Sequence, residues 1–221
     1  MSVILPPTLK HEQDLFGGGA RIVAGMDEVG RGAIAGPVSV GVVAIASNIS
    51  AAPKGVKDSK LLTPKAREDL APKLALWAPW HAVGHASSAE IDDVGLIAAL
   101  RLAGQRALAA LPVAPDVLLL DGSHDWLTEP EPDLFSTATM TNAPRVVTIV
   151  KGDQKCVSIA AASVLAKVER DDLLRLFHED YPAYDWVQNK GYASPEHIAA
   201  LRANGACILH RRSWDLPGLA N

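Results

Sequence analysis

The chain has 221 residues, 48% of them hydrophobic and 21% charged, and a formal net charge of −4. That suffices for one large domain with a packed core and argues against wholesale disorder. It also excludes a protein that holds nucleic acid by bulk basicity, and no apolar run approaches the ~20 residues of a membrane span.

The N-terminus, MSVILPPTLKHEQDLF, lacks the basic start and long apolar stretch of a signal peptide. Residues 1–20, ending in Gly17-Gly18-Gly19, are read as a flexible arm. A first strand follows over 21–27 and delivers two adjacent acids, Asp27 and Glu28. A basic glycine turn comes next, Gly30-Arg31-Gly32, and Gly36-Pro37 leads into VSVGVVAIA at 38–46. That run is apolar and β-branched, so it reads as a buried strand, antiparallel to the first because the link is short.

Thr63-Pro64 is a helix start, with threonine as N-cap and proline at the first helical position, for a helix to about Leu76. His81–Ala86 reads as a strand. Ser87-Ser88-Ala89-Glu90 has the capping-box pattern and opens one long helix to about Leu111. Val117–Leu120 is a short apolar strand ending in Asp121-Gly122. Residues 123–144 are polar, contain Pro130, Pro132 and Pro144, and read as an excursion rather than core. Arg145–Val150 is a further strand, Lys151-Gly152-Asp153 a turn, and 157–181 a helix with apolar residues at 157, 161, 164, 165 and 168 on one face. Ser194–Ala203 is a shorter helix stopped by Asn204-Gly205. Cys156 and Cys207 are the only cysteines; with no framework or zinc pattern they imply a reducing, cytoplasmic setting. Strands first, then alternating helices and strands, predict an α/β domain with a mixed sheet.

Open α/β sheets place ligands outside strand ends. Asp27, Asp121 and Asp153 each stand at such a junction and can converge. Glu28 fits less simply, because consecutive strand residues face opposite sides; it shares the site only if the strand ends or bends there. For Asp153 there is a structural alternative, capping of the following helix. Asp171 is excluded as its partner, since about 18 residues of helix span ~27 Å; Arg170-Asp171 reads as a structural ion pair or a distal contact. An acidic pair beside a glycine-rich basic turn fits a divalent ion next to a phosphate, and equally a charged hairpin. Hard ions such as Mg²⁺ or Mn²⁺ prefer carboxylate oxygens, and two of them ~4 Å apart support phosphoryl transfer. No Walker loop or G-x-S-x-G offers another chemistry. Val187–Trp214 carries four basic residues, Lys190, Arg202, Arg211 and Arg212, against the single acid Glu196. Such a segment on an acidic body can contact phosphates.

With these residues in place, AGMDEVGRGAIAGPV resembles the opening signature of ribonuclease HII, the type 2 ribonucleases H. DSKLLTPKAREDL, LLLDG, VKGDQKCVSIAAASVLAKVERD, YPAYDWVQNKGYASPEH and HRRSW resemble the family's later blocks, so the similarity covers roughly residues 21–214. The resemblance implies an RNase H-like fold, a mixed central sheet with flanking helices, with a catalytic domain at 21–181 and a C-terminal helical substrate-binding region at 182–221. It implies metal-dependent cutting of RNA in RNA–DNA hybrids and at ribonucleotides embedded in duplex DNA, leaving 5′-phosphate and 3′-hydroxyl ends; a monomer is the expected state.

The acids implied to be catalytic and to hold Mg²⁺ or Mn²⁺ are Asp27, Glu28, Asp121 and Asp153. Gly30, Arg31 and Gly32 are implied to read the 2′-hydroxyl, and Tyr192 to pack on the following deoxyribose; Tyr192 read alone fits a core aromatic equally well. Lys60, Arg211 and Arg212 are expected phosphate contacts. The sequence departs from the usual pattern at Val29, at Ala33-Ile34, and in the wide Asp121–Asp153 span. Leu216–Asn221 shows no obvious sliding-clamp motif. The rival readings are another metal-dependent nuclease of the same fold, which would lack the Gly-Arg-Gly turn and Tyr192, and a non-catalytic hybrid-binding module, against which the four intact acids stand.

Overall fold

The structure, a computed structural model, describes residues 6–129 and 144–219. Its elements in chain order are α1 (Lys10–Gly17), β1 (Ile22–Val29), β2 (Val38–Ala46), α2 (Pro64–Trp77), β3 (His81–Ala86), α3 (Ser88–Val94), α4 (Leu96–Ala109), β4 (Val117–Asp121), β5 (Arg145–Ile149), α5 (Val157–Asp180), α6 (Trp186–Asn189) and α7 (Pro195–Asn204). The five strands form one mixed sheet in the order β3-β2-β1-β4-β5. β1, β2 and β3 pair antiparallel, whereas β4 and β5 run parallel to β1.

The pleat sorts the apolar residues onto two faces. Ala24, Met26, Val40, Val42, Leu118 and Leu120 pack with α4. The alternate residues Val43 and Ile45 pack with α2 and α5. α5 lies unusually close to the sheet, because it crosses β1 and β2 at two glycines. A Cβ on Gly25 would stand 2.3 Å from Ile159 N, and one on Gly41 2.4 Å from Ala162 O. The run Ala160-Ala161-Ala162 presents small side chains to this contact.

Four expectations change. Residues 1–20 are not a free arm over their described part: 10–17 form α1, and its Glu12 is fully buried. The helix expected from Ser88 to Leu111 is two helices, because Gly95 takes a φ of 78° between them. β1 does not stop at Asp27 but runs on to Val29. Of the proposed excursion at 123–144, residues 130–143 lie outside the described residues. Its first turn belongs to the core: Trp126 and Leu127 are 3% and 6% exposed against α4. Asp125 folds that turn by accepting from Leu127 N and Thr128 N at 3.0 and 2.9 Å. The expected starts of α2 and α3 hold. Thr63 Oγ1 accepts from Ala66 N, and Ser87 and Glu90 form a complete capping box.

Candidate active site

β1 and β4 run parallel with Met26 opposite Leu120, so the next residues, Asp27 and Asp121, stand side by side on the α5 face. Asp153 comes from the turn between β5 and α5, and one oxygen of each acid lies within 4.8 Å of the others. Gly152 N donates to Asp121 Oδ1 at 2.6 Å, which ties the Asp153 turn to β4. The site is therefore assembled by strand register at two corners and by a hydrogen bond at the third.

Burial and mutual repulsion raise these acids. Desolvation lifts the Asp27 carboxyl well above its ordinary range; the Ser163 hydroxyl opposes this, and the charges of Glu28 and Asp121 add to it. Asp153 is pushed up to about 6, by burial first and then by Asp121 and Asp58. Burial would lower the Lys60 ammonium, but Asp27, Asp58, Asp153 and Asp121 together outweigh it and hold it high. Lys60 thus stands exposed at the rim of an acidic site.

Glu28 does not join the trio. Because β1 continues to Val29, the pleat sends Glu28 to the opposite face from Asp27. Its Oε1 lies 3.4 Å from Arg31 Nη1, while its Oε2 is buried with no partner among the described residues. Asp153 does not cap α5 either. The helix N-cap is Cys156, which makes no side-chain cap bond. Asp171 is held by Lys167 at 2.6 Å and Arg67 at 3.9 Å, so Arg170-Asp171 is not an ion pair.

The Gly-Arg-Gly turn lies beside the acids. Gly30 has a φ of 81°, and a Cβ there would meet Arg170 Nε at 2.1 Å, so only glycine fits. Arg31 and Gly32 are exposed. Tyr192 is 38% exposed and therefore not a core aromatic. The two loops are stitched together: Ile34 N and Ala35 N both donate to Gly191 O, at 2.8 and 3.1 Å.

Two buried arginines brace them from behind. Arg170 donates to Pro37 O, Lys190 O and Ala35 O, and its guanidinium lies 5.7 Å from the Tyr192 ring centroid. Arg211 donates to Gly30 O at 2.6 Å, Arg31 O at 2.8 Å and Gly36 O at 3.3 Å. Arg211 is fully buried, so it is not placed to meet a phosphate as expected; it holds the turn. Lys190 also folds back, donating to Val187 O at 2.6 Å. Of the basic segment, Arg202 and Arg212 remain exposed. Arg212 N is anchored by Asp92 Oδ2 at 2.9 Å.

A histidine chain fixes the Tyr192 loop from the other side. His197 Nδ1 donates to Tyr192 O at 2.8 Å, which leaves its Nε2 to accept from Trp186 Nε1 at 3.2 Å and from His210 Nε2 at 3.0 Å. His210 Nδ1 then accepts from Cys207 N at 3.1 Å. Burial, with His197 adding, holds His210 down at about 4. His81 and His85 have metal-ligand spacing in sequence but lie on a strand, where four residues span ~13 Å. Each has its own partner, Ala78 O and Ser39.

Ser163 and the histidine pair were not singled out by sequence, and neither the part Asp58 plays nor the bracing by Arg170 was read there. Their roles depend on neighbours far along the chain, and only the Asp58-Ser59-Lys60 run offered a local signal.

A five-stranded mixed sheet with three clustered carboxylates at its strand ends defines an RNase H-like nuclease fold. Among solved structures, the ribonuclease H2 of Pyrococcus horikoshii OT3 is similar with a TM-score of 0.68 at 28% identity, over 89% of this chain and 95% of that one. The ribonuclease HII of the PCNA:RNase HII complex from Archaeoglobus fulgidus is similar with a TM-score of 0.66 at 26% identity, over 87% and 93%. A family model for ribonuclease HII matches residues 24–216. Ribonuclease HII of Streptomyces coelicolor is 48% identical over 210 residues, 95% of this chain and 84% of its own. That of Nitrosococcus oceani is 45% identical over 87% and 88%. The chain belongs to the ribonuclease HII family; it is a metal-dependent endoribonuclease acting on RNA–DNA hybrids.

Proposed function

We propose that the enzyme incises the RNA strand of hybrids and also duplex DNA at a single embedded ribonucleotide, on its 5′ side, with Asp27, Asp121 and Asp153 holding Mg²⁺ or Mn²⁺. The residues fit such an ion. Three hard oxygen donors lie within 4.8 Å of one another, and burial and repulsion raise two of them, a cost that a cation would relieve. Glu28, which stands on the opposite face of β1, is given no ligand position in this arrangement, although its buried Oε2 has no partner among the described residues. When bound, divalent ions activate water and neutralise charge on the reacting phosphate.

The chain's own groups supply position. Lys60 meets a non-bridging phosphate oxygen, and Arg212 a backbone phosphate further along. Gly30, Arg31 and Gly32 bring backbone against the sugar that carries the 2′-hydroxyl, the one group that marks RNA at that position. Tyr192 packs on the next sugar, which a deoxyribose admits. A water oxygen becomes bonded to phosphorus as the P–O3′ bond breaks, leaving 5′-phosphate and 3′-hydroxyl ends.

The observation that carries this reading is the joining of the Gly-Arg-Gly turn and the Tyr192 loop through Gly191 O and Arg170, with Arg211 holding the turn itself. Two contacts on adjacent sugars are worth most when their spacing is fixed. The test is a DNA duplex with one ribonucleotide, incubated with Mg²⁺ or Mn²⁺: a single cut 5′ to the ribonucleotide is expected. Equal cutting of an all-DNA duplex would overturn the proposal.

A further inference from the structure

The helix that follows Asp153 has no cap of its own. A helix start leaves four backbone N–H groups without partners, and a serine, threonine or aspartate at the N-cap ordinarily meets one. At α5 that position is Cys156, with no side-chain cap bond. The N–H groups are met instead by the N-terminal segment. Val157 N lies 3.4 Å from Thr8 O, and Thr8 N returns a bond to Lys155 O at 3.0 Å. Ser158 N and Ser158 Oγ both donate to Glu12 Oε1, at 2.9 and 2.7 Å, across 146 residues of chain.

Glu12 is an uncommon choice for this task. It is fully buried, its Oε2 has no partner among the described residues, and no cation there lies within salt-bridge distance of it. A carboxylate in that setting leans on the positive end of a 24-residue helix and on two charge-assisted bonds.

Its position relative to the acids is what matters. The stretch Gly152–Ser158 is clamped at its front by Gly152 N on Asp121 and at its back by Thr8 and Glu12. Ser158 also presses on Gly25, where an added Cβ would stand 2.4 Å from Ser158 Oγ. Gly25 and Asp27 share one face of β1. We propose that Glu12 is a positioning residue for the ion site: through Ser158, α1 fixes where the Asp153 turn stands against Asp27 and Asp121. The first strand and the α5 turn are thereby registered by a segment outside the carboxylate cluster.

The inference rests on the ion-site reading, and the experiment separates the two. Mn²⁺ binding by the full-length protein is followed by electron paramagnetic resonance, with kcat and KM on a hybrid and the melting temperature measured alongside. Glu12→Ala is expected to weaken Mn²⁺ binding on the order of tenfold, as loss of a supporting hydrogen bond does at other metal centres, and to lower kcat with KM little changed. Glu12→Gln, which keeps the acceptor oxygen, restores most of the affinity. Glu12→Asp retracts the acceptor by one carbon and gives an intermediate loss, which serves if the alanine variant does not fold. Leu100→Ala, a buried residue of α4 packed on the other face of the sheet, is the control for lost stability. No Mn²⁺ binding by the unaltered protein would fail the ion site itself. Normal binding by the unaltered protein, with Glu12→Ala no weaker than Leu100→Ala or with no rescue by glutamine, would overturn the role of Glu12 alone.

Discussion

At the scale of single residues, Asp121 is where the proposed ion binding can be separated from folding. Its Oδ1 accepts from Gly152 N, and an asparagine keeps an oxygen there. Asp121→Asn should therefore fold and bind a hybrid nearly as before while turnover falls by roughly a thousandfold or more, the loss expected when several kcal/mol of charge stabilisation goes. Binding by gel shift beside single-turnover rates would check this; retained activity would remove Asp121 from the site. Tyr192→Ala should slow cleavage at a single ribonucleotide more than cleavage of a long hybrid, about tenfold against twofold, since the missing ring costs on the order of 1 kcal/mol of sugar packing at the junction. An equal loss on both substrates would end the junction reading.

The acids were legible in the sequence because each sits where an apolar run meets glycine or a turn. Glu28 was legible as a conflict, since alternation alone sends it to the other face. Arg211 was misread for a physical reason: residue type reports a charge, but not whether backbone carbonyls 175 to 181 residues away will surround it.

At the scale of elements, the distance between α5 and the sheet sets where the Asp153 turn can stand. Gly25 and Gly41 admit the helix backbone with no side chain between, and Asp27 pairs with Gly41 across β1 and β2. Gly41→Ala places a Cβ 2.4 Å from Ala162 O, which is backbone and cannot rotate away. The helix must lift, at a cost of about 1–3 kcal/mol for overpacking, and activity should fall further than stability alone explains, because Asp153 moves with it. Melting temperature and kcat measured together test this; an active enzyme with an unchanged melting temperature would mean the gap is not tight. The strands and most helix starts could be read from composition and capping residues. The division of α3 from α4 could not, because a lone glycine in an alanine-rich helix is usually tolerated, and here Gly95 takes a left-handed φ. The docking of α1 could not either, since its partner Ser158 lies 146 residues away.

At the scale of the whole molecule, the proposed ion site and the stability of the fold are coupled, and the sign follows from the raised acids. Asp153 is pushed up to about 6 in the folded chain, from an ordinary value of 3.8, and burial lifts Asp27 well above its ordinary range as well. A carboxyl raised by folding favours the native state at low pH. That contribution is complete below the unfolded value and is lost as pH rises through about 6. The metal-free protein at pH 7 thus carries a penalty from Asp153 of about 2 kcal/mol, the ~3 kcal/mol that 1.36 kcal/mol per pKa unit gives being reduced by solvent screening at this half-open carboxyl. His210, held near 4 by burial, works in the same window with the opposite sign, favouring the native state as pH rises. The two are separated by difference. Asp153→Asn removes the first and leaves the second, so at pH 7 without divalent ions it should melt about 4–8 °C above the unaltered protein. The gap should narrow as pH falls and close by about pH 3, below the unfolded value of 3.8, where the aspartate is protonated in both states. Adding Mg²⁺ should raise the melting temperature of the unaltered protein, by about 2.7 kcal/mol of stability at one hundred times the dissociation constant, and raise the variant far less. A variant no more stable than its parent at pH 7, or one that gains as much from Mg²⁺, would show that the three carboxylates do not repel one another around an ion site.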